Sequence, residues 1–131
     1  MRKVLLDTNA YSKLRLSGGD IQKELEASDT VYISVVTIGE LVTGFRNGTK
    51  FKENLEKLNS FLLKPNVEAV HISEETAEIY GGIFYELLKR GIPVPTNDAW
   101  IAANAIETGS KVITFDKHFT KIPGVRVWRG I

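Results

Sequence analysis

The sequence predicts an α/β protein built on a parallel sheet, and three observations carry that expectation. Short, unbroken apolar runs alternate with longer amphipathic segments along the chain. The runs lack the strict alternation of half-solvated strands, as expected where helices cover both faces of a sheet. No hairpin turn of the Asn-Gly kind joins one run to the next, because Asn47-Gly48 lies between two helical patterns.

The elements follow in order. Residues 4–6, 31–33, 67–72, 112–113 and 125–128 read as strands. Asp20 caps a short helix running to about Ala27, and Thr49 caps another with Phe51, Leu55, Leu58 and Leu62 on one face. Ser73 opens the clearest helix. Glu74 and Glu75 suit its positive end, Lys89 and Arg90 its negative end, and Gly91 its exit. Ala77, Tyr80, Phe84, Leu87 and Leu88 form its apolar stripe, and core packing is the default role for Tyr80, Phe84 and the neighbouring Tyr85. Pro93 and Pro95 then break the chain, and a helix restarts at Thr96–Asn97 and ends near Thr108.

Composition narrows the chemistry. With 131 residues, 43% of them hydrophobic and 25% charged, the chain suffices for one core without staples. The absence of cysteine excludes thiol catalysis, cysteine zinc sites and iron–sulfur clusters. Seventeen Lys+Arg against sixteen Asp+Glu leave a net charge of +1, so any site for a polyanion is a local arrangement of charge. The longest apolar run, residues 99–103, falls far short of the roughly 20 residues of a membrane helix. Arg2 and Lys3 precede only residues 4–6 before Asp7 interrupts, which is no signal peptide. The expectation is a soluble cytoplasmic domain.

In parallel sheets, ligands bind outside the carboxyl ends of the strands. Asp7 directly follows the first strand and Asp116 follows the fourth. Glu40 interrupts the apolar run after the second strand, sharing a helix face with Val36 and Gly44, and Asp98 stands at the start of the last helix. Local roles exist for three of them, Asp7 as a cap or Asx turn, Asp98 on the helix dipole and Asp116 in a turn. Glu40 is harder to assign that way, since an ionised carboxylate is costly to bury alone. Four carboxylates gathered at one rim repel, and a hard divalent cation removes the conflict. Oxygen-only ligands favour Mg²⁺ or Mn²⁺ and suit metal-assisted phosphodiester hydrolysis. His71, in a strand, and His118, after Asp116, are read as structural or surface residues. Arg46 and Lys117 are the basic residues expected to hold a polyanion backbone, while Lys13 and Arg15 read as solvated charges.

Four segments in order, VLLDTN at 4–9, ELVTG at 40–44, NDAWIAANA at 97–105 and ITFDKHF at 113–119, resemble the successive motifs of PIN domains. Within these, the chain is most similar to the single-domain VapC-type toxins of prokaryotic toxin–antitoxin pairs. The resemblance implies one PIN-like nuclease domain over residues 1–131, a three-layer α/β/α sandwich with a central parallel sheet. It implies metal-dependent endoribonuclease activity, with Asp7, Glu40, Asp98 and Asp116 as the catalytic, metal-holding acids. Thr8, Asn9 and Thr114 match the polar positions that support them, and Asn97 either caps its helix or reaches the site. A cognate antitoxin and homodimerisation are also implied, which leaves a dimer interface as the alternative to the core for Tyr80, Phe84 and Tyr85.

Three other readings compete. A haloacid-dehalogenase-like phosphotransferase would need a second Asp two positions after Asp7, where the chain has Asn9. A PIN-fold binding module without catalysis and a nuclease acting in RNA processing, not as a toxin, both remain compatible with the residues.

Overall fold

The computed structural model describes residues 1–128. The single domain expected over 1–131 therefore has its last three residues outside the described part. Five strands form one sheet: β1 (Lys3–Leu6), β2 (Thr30–Ser34), β3 (Val67–Val70), β4 (Lys111–Ile113) and β5 (Val127–Trp128). Six helices join them: α1 (Thr8–Leu16), α2 (Gly19–Glu26), α3 (Val35–Asn47), α4 (Phe51–Leu62), α5 (Glu74–Arg90) and α6 (Thr96–Thr108). A 3₁₀ turn over Lys117–Lys121 follows β4. Strand order is β3-β2-β1-β4-β5, and every pairing is parallel.

Alternation along the central strand divides the core into two layers. Val4 and Leu6 point to one face, where Tyr11, Leu14, Ile21, Leu25, Leu41, Leu58 and Phe61 of α1 to α4 cover them. Leu5 points to the other, beneath Ile83 and Leu87 of α5 and Ala99, Ala102 and Ala103 of α6. The small α6 residues let that helix lie close to the sheet. The result is the three-layer α/β/α sandwich. Among the described residues, no helix is long and apolar enough to cross a membrane.

Several boundaries differ from the sequence reading. β3 ends at Val70, not Ile72, because its partner β2 ends at Ser34, whose hydroxyl accepts the Val36 N–H and starts α3. β5 pairs only through Val127 and Trp128, since β4 is three residues long. Thr49 does not cap α4. Lys50 stands there, and its carbonyl accepts the Asn54 N–H. Asp20 lies within the first turn of α2, and Gly18 and Gly19, both at positive φ, make the entry. On α5, Ser73 caps the helix as expected, here in a reciprocal capping box with Thr76, and Gly91 closes the helix in the left-handed region. The buried stripe of α5 is Thr76, Ile83 and Leu87, while Ala77 and Leu88 face solvent. Tyr80 stacks between Phe84 and Trp100, and Tyr85 is exposed.

Leu5 is fully buried on the central strand, so Leu5→Ala should cost about 2–5 kcal/mol of unfolding free energy in a urea titration. A loss below about 1 kcal/mol would contradict the two-sided burial of β1.

Candidate active site

The strand order reverses between β1 and β4, because the chain leaves β1 toward β2 on one side and returns to β4 on the other. That switch point opens a crevice at the carboxyl ends of the strands. Asp7 leaves the end of β1 and caps α1, its Oδ1 accepting the Ala10 N–H at 2.8 Å. Its Oδ2 accepts the hydroxyl of Thr114, the residue directly after β4. The Thr114 oxygen in turn accepts the Asp116 N–H at 2.8 Å, so one threonine ties two of the acids together. Asp116 caps the 3₁₀ turn by accepting the His118 N–H at 2.9 Å.

The remaining two acids come from helices. Glu40, on α3, is clamped from both sides. The Thr8 hydroxyl donates to Oε1, and the Asn97 side-chain amide donates to Oε2 at 3.1 Å. Asp98 lies in the first turn of α6, whose N-terminus faces the crevice. All four acids line one cavity of about 260 Å³, together with Thr8, Asn9, Pro95, Ile101 and His118.

The structure thus gathers every acid singled out in the sequence. Thr8 and Thr114 bond directly to acids, and Asn97 reaches the site by holding Glu40. Asn9 lines the cavity without a hydrogen bond to any of the four carboxylates. His118 is not simply a surface residue: its Nδ1 stands 2.9 Å from Asp116 Oδ1 and 3.4 Å from Asp98 Oδ2. His71 sits exposed beyond β3, and its carbonyl accepts the Asn104 amide. Arg46 and Lys117 are exposed and do not line the cavity; the Arg46 guanidinium lies over the Phe51 ring at 4.3 Å. The sequence reading also missed Pro95 and Ile101, which form the apolar wall.

Crowding shows in the acidities. Asp7 is only 3% exposed, and burial pushes its carboxyl up to about 6. The bonds from Thr114 and Ala10 oppose that rise, and the charges of Asp116 and Glu40 add to it. Asp98 is also pushed up to about 6, by burial first and then by Asp116, with His118 pulling the other way. Two buried atoms here, Asp98 Oδ2 and His118 Nδ1, lack a hydrogen-bond partner. Buried polar atoms are rarely left so. An unpaired carboxylate oxygen and an unpaired imidazole nitrogen facing one another among crowded acids fit a divalent cation.

A pH dependence follows with a definite sign. Both folded-state values lie above the ordinary 3.8, so the folded chain binds more protons than the unfolded one in that window. The stabilisation is complete below about pH 4 and is lost as pH rises through about 6. With chelator present, Tm should fall between about pH 4.5 and 7, and Asp7→Asn, which cannot ionise, should flatten the fall. A Tm that climbs through this range would contradict the crowded site.

Known proteins resemble the chain along nearly its whole length. The PIN domain family model matches residues 4–125. Ribonuclease VapC4 of Mycobacterium tuberculosis is 28% identical over 97% of this chain and 96% of its own length. Ribonuclease VapC2 of Rickettsia felis is 30% identical over 92% of each chain. A crystal structure of VapBC2 from Rickettsia felis, bound to a DNA fragment from their promoter, superposes with a TM-score of 0.88 at 27% identity, covering 98% of this chain and 99% of the other. By its fold, by the four-acid crevice at its strand ends and by this match, the chain belongs to the PIN domain family.

Proposed function

We propose that the chain is a metal-dependent endoribonuclease that hydrolyses RNA phosphodiester bonds, and that it is the toxin of a VapBC-type pair restrained by a cognate antitoxin. The observation that carries the proposal is the convergence of Asp7, Glu40, Asp98 and Asp116 on one cavity, with two of them driven up to about 6. The names of the relatives support the same activity, since VapC4 and VapC2 are ribonucleases. The VapBC2 assembly supports the partner.

In this reading Asp7, Glu40, Asp98 and Asp116 hold Mg²⁺, with Mn²⁺ as a substitute. The bound cation supplies Lewis acidity, which neutralises charge developing on the phosphodiester and makes water more acidic. The protein supplies orientation. Thr114 and the Ala10 N–H fix both Asp7 oxygens, and Thr8 and Asn97 fix both Glu40 oxygens, so neither carboxylate swings away when substrate enters. Arg46 and Lys117 hold the RNA backbone beyond the acidic cavity, where its own field would otherwise repel phosphates. The chain works in the cytoplasm as a homodimer, for which Tyr85 and Leu88 of α5, 62% and 68% exposed, offer apolar surface.

Labelled total RNA incubated with the purified protein tests the activity. Discrete cuts are expected with Mg²⁺ or Mn²⁺ and not with chelator. Asp98→Asn should lower the rate by more than the roughly 10–100-fold that follows loss of an outer partner of a metal site. Cutting that survives chelator or Asp98→Asn would contradict the assignment, and so would no cutting with either metal. For the RNA contacts, Arg46→Ala and Lys117→Ala should each reduce the slope of log affinity against log salt by about 1. An unchanged slope removes that residue from the RNA path.

A further inference from the structure

The cavity holds one side chain that an oxygen-only metal site does not need. His118 follows Asp116 by two positions, and the Asx turn, in which Asp116 Oδ1 takes the His118 N–H, folds the imidazole back over the acids. The ring is 42% exposed, yet its Nδ1 is buried. That nitrogen lies 2.9 Å from Asp116 Oδ1 without the alignment of a hydrogen bond, and 3.4 Å from Asp98 Oδ2, which also lacks a partner. Oxygen and nitrogen donors bound side by side on a small divalent ion, at bond lengths near 2.1 Å, stand about 3 Å apart. One atom each from Asp98, Asp116 and His118 lie within 4.8 Å of one another. The three side chains therefore present two oxygens and one nitrogen as neighbouring ligands for one ion.

We propose that His118 Nδ1 is a nitrogen ligand of the active-site metal, and that it shifts the site's preference from Mg²⁺ toward Mn²⁺. The inference rests on the metal-dependent reading above and deepens it. Mg²⁺ is a hard ion that takes oxygen donors in near-ideal octahedra. Mn²⁺ keeps the carboxylates and accepts imidazole beside them more readily than Mg²⁺ does. For this role the imidazole is neutral, with its proton on Nε2 and the Nδ1 lone pair free. Asp98 Oδ2 and His118 Nδ1 lose their unpaired status together once both bind one ion.

The chain has only two histidines, and His71 is exposed beyond β3, which makes the nitrogen assignable. The test is pulsed electron paramagnetic resonance of Mn²⁺ bound to the full chain, beside calorimetric titrations with Mn²⁺ and with Mg²⁺. Imidazole ¹⁴N coupling to Mn²⁺ is expected in the unaltered protein and absent in His118→Gln, which still binds the ion. The ratio of Mn²⁺ to Mg²⁺ affinity should fall about tenfold in that variant. Circular dichroism of His118→Gln checks that it folds, and ¹⁵N-histidine labelling of the unaltered chain reports the coupling without any substitution. Bound Mn²⁺ with no nitrogen coupling, or an affinity ratio unmoved by His118→Gln, would overturn the ligand and leave the carboxylate site standing. No binding of Mn²⁺ at all would overturn the ligand and the metal-dependent reading together.

Discussion

Mutual repulsion among four carboxylates is the constraint around which this molecule is arranged. A parallel sheet sends the ends of all its strands to one edge, and the reversal of strand order between β1 and β4 opens that edge at one place. Asp7 and Asp116 arrive there on strand ends, and Glu40 and Asp98 arrive on α3 and α6. Burial then sharpens the conflict, because Asp7 is almost wholly removed from water. Burial first, and then the neighbouring carboxylates, raise the Asp7 and Asp98 carboxyls to about 6.

The fold withstands the repulsion by giving the acids second duties. Asp7 is the cap of α1 and Asp116 the cap of the 3₁₀ turn, each offering one oxygen to a backbone N–H that would otherwise be orphaned. Caps of this kind contribute about 0.5–2 kcal/mol. A buried polar chain holds the helices that carry the other two acids. Ser34, which caps α3, donates to Asn104 of α6 at 2.7 Å. The Asn104 amide reaches Glu107, which also accepts Thr76 from the start of α5. These contacts, away from the cavity, set the helices that carry Glu40 and Asp98, while Thr8 and Asn97 orient the Glu40 carboxylate inside it.

Much of this was legible in the sequence because it follows from periodicity and strand ends. Unbroken apolar runs marked the strands, and the acids at their carboxyl ends marked the crevice. The features that escaped depend on turn geometry or on the neighbouring layer. His118 follows Asp116 closely enough in the sequence to touch the site, but a structural or surface role is the simpler reading there, and only the Asx turn shows the ring folded back over the acids. The α5 stripe shifted because its inward positions are chosen by α6: Thr76 turns in to meet Glu107, while Leu88 is left facing solvent. Thr49 carries a good capping side chain, but α4 starts one residue later, at the Lys50 carbonyl. Asn97 was ambiguous between cap and site, and its distance to Glu40 settles the matter for the site.

The central claim is that the four carboxylates form one cation site that protons otherwise neutralise. Thermal unfolding with and without Mg²⁺, at about pH 5 and about pH 7.5, tests it most directly, because a ligand that binds only the folded state raises Tm. The account predicts a rise that is large at the higher pH, small at the lower one where protons compete, and abolished in the Asp7→Asn, Asp98→Asn double variant. A Tm indifferent to Mg²⁺ at pH 7.5, or an equal rise in the double variant, would contradict it.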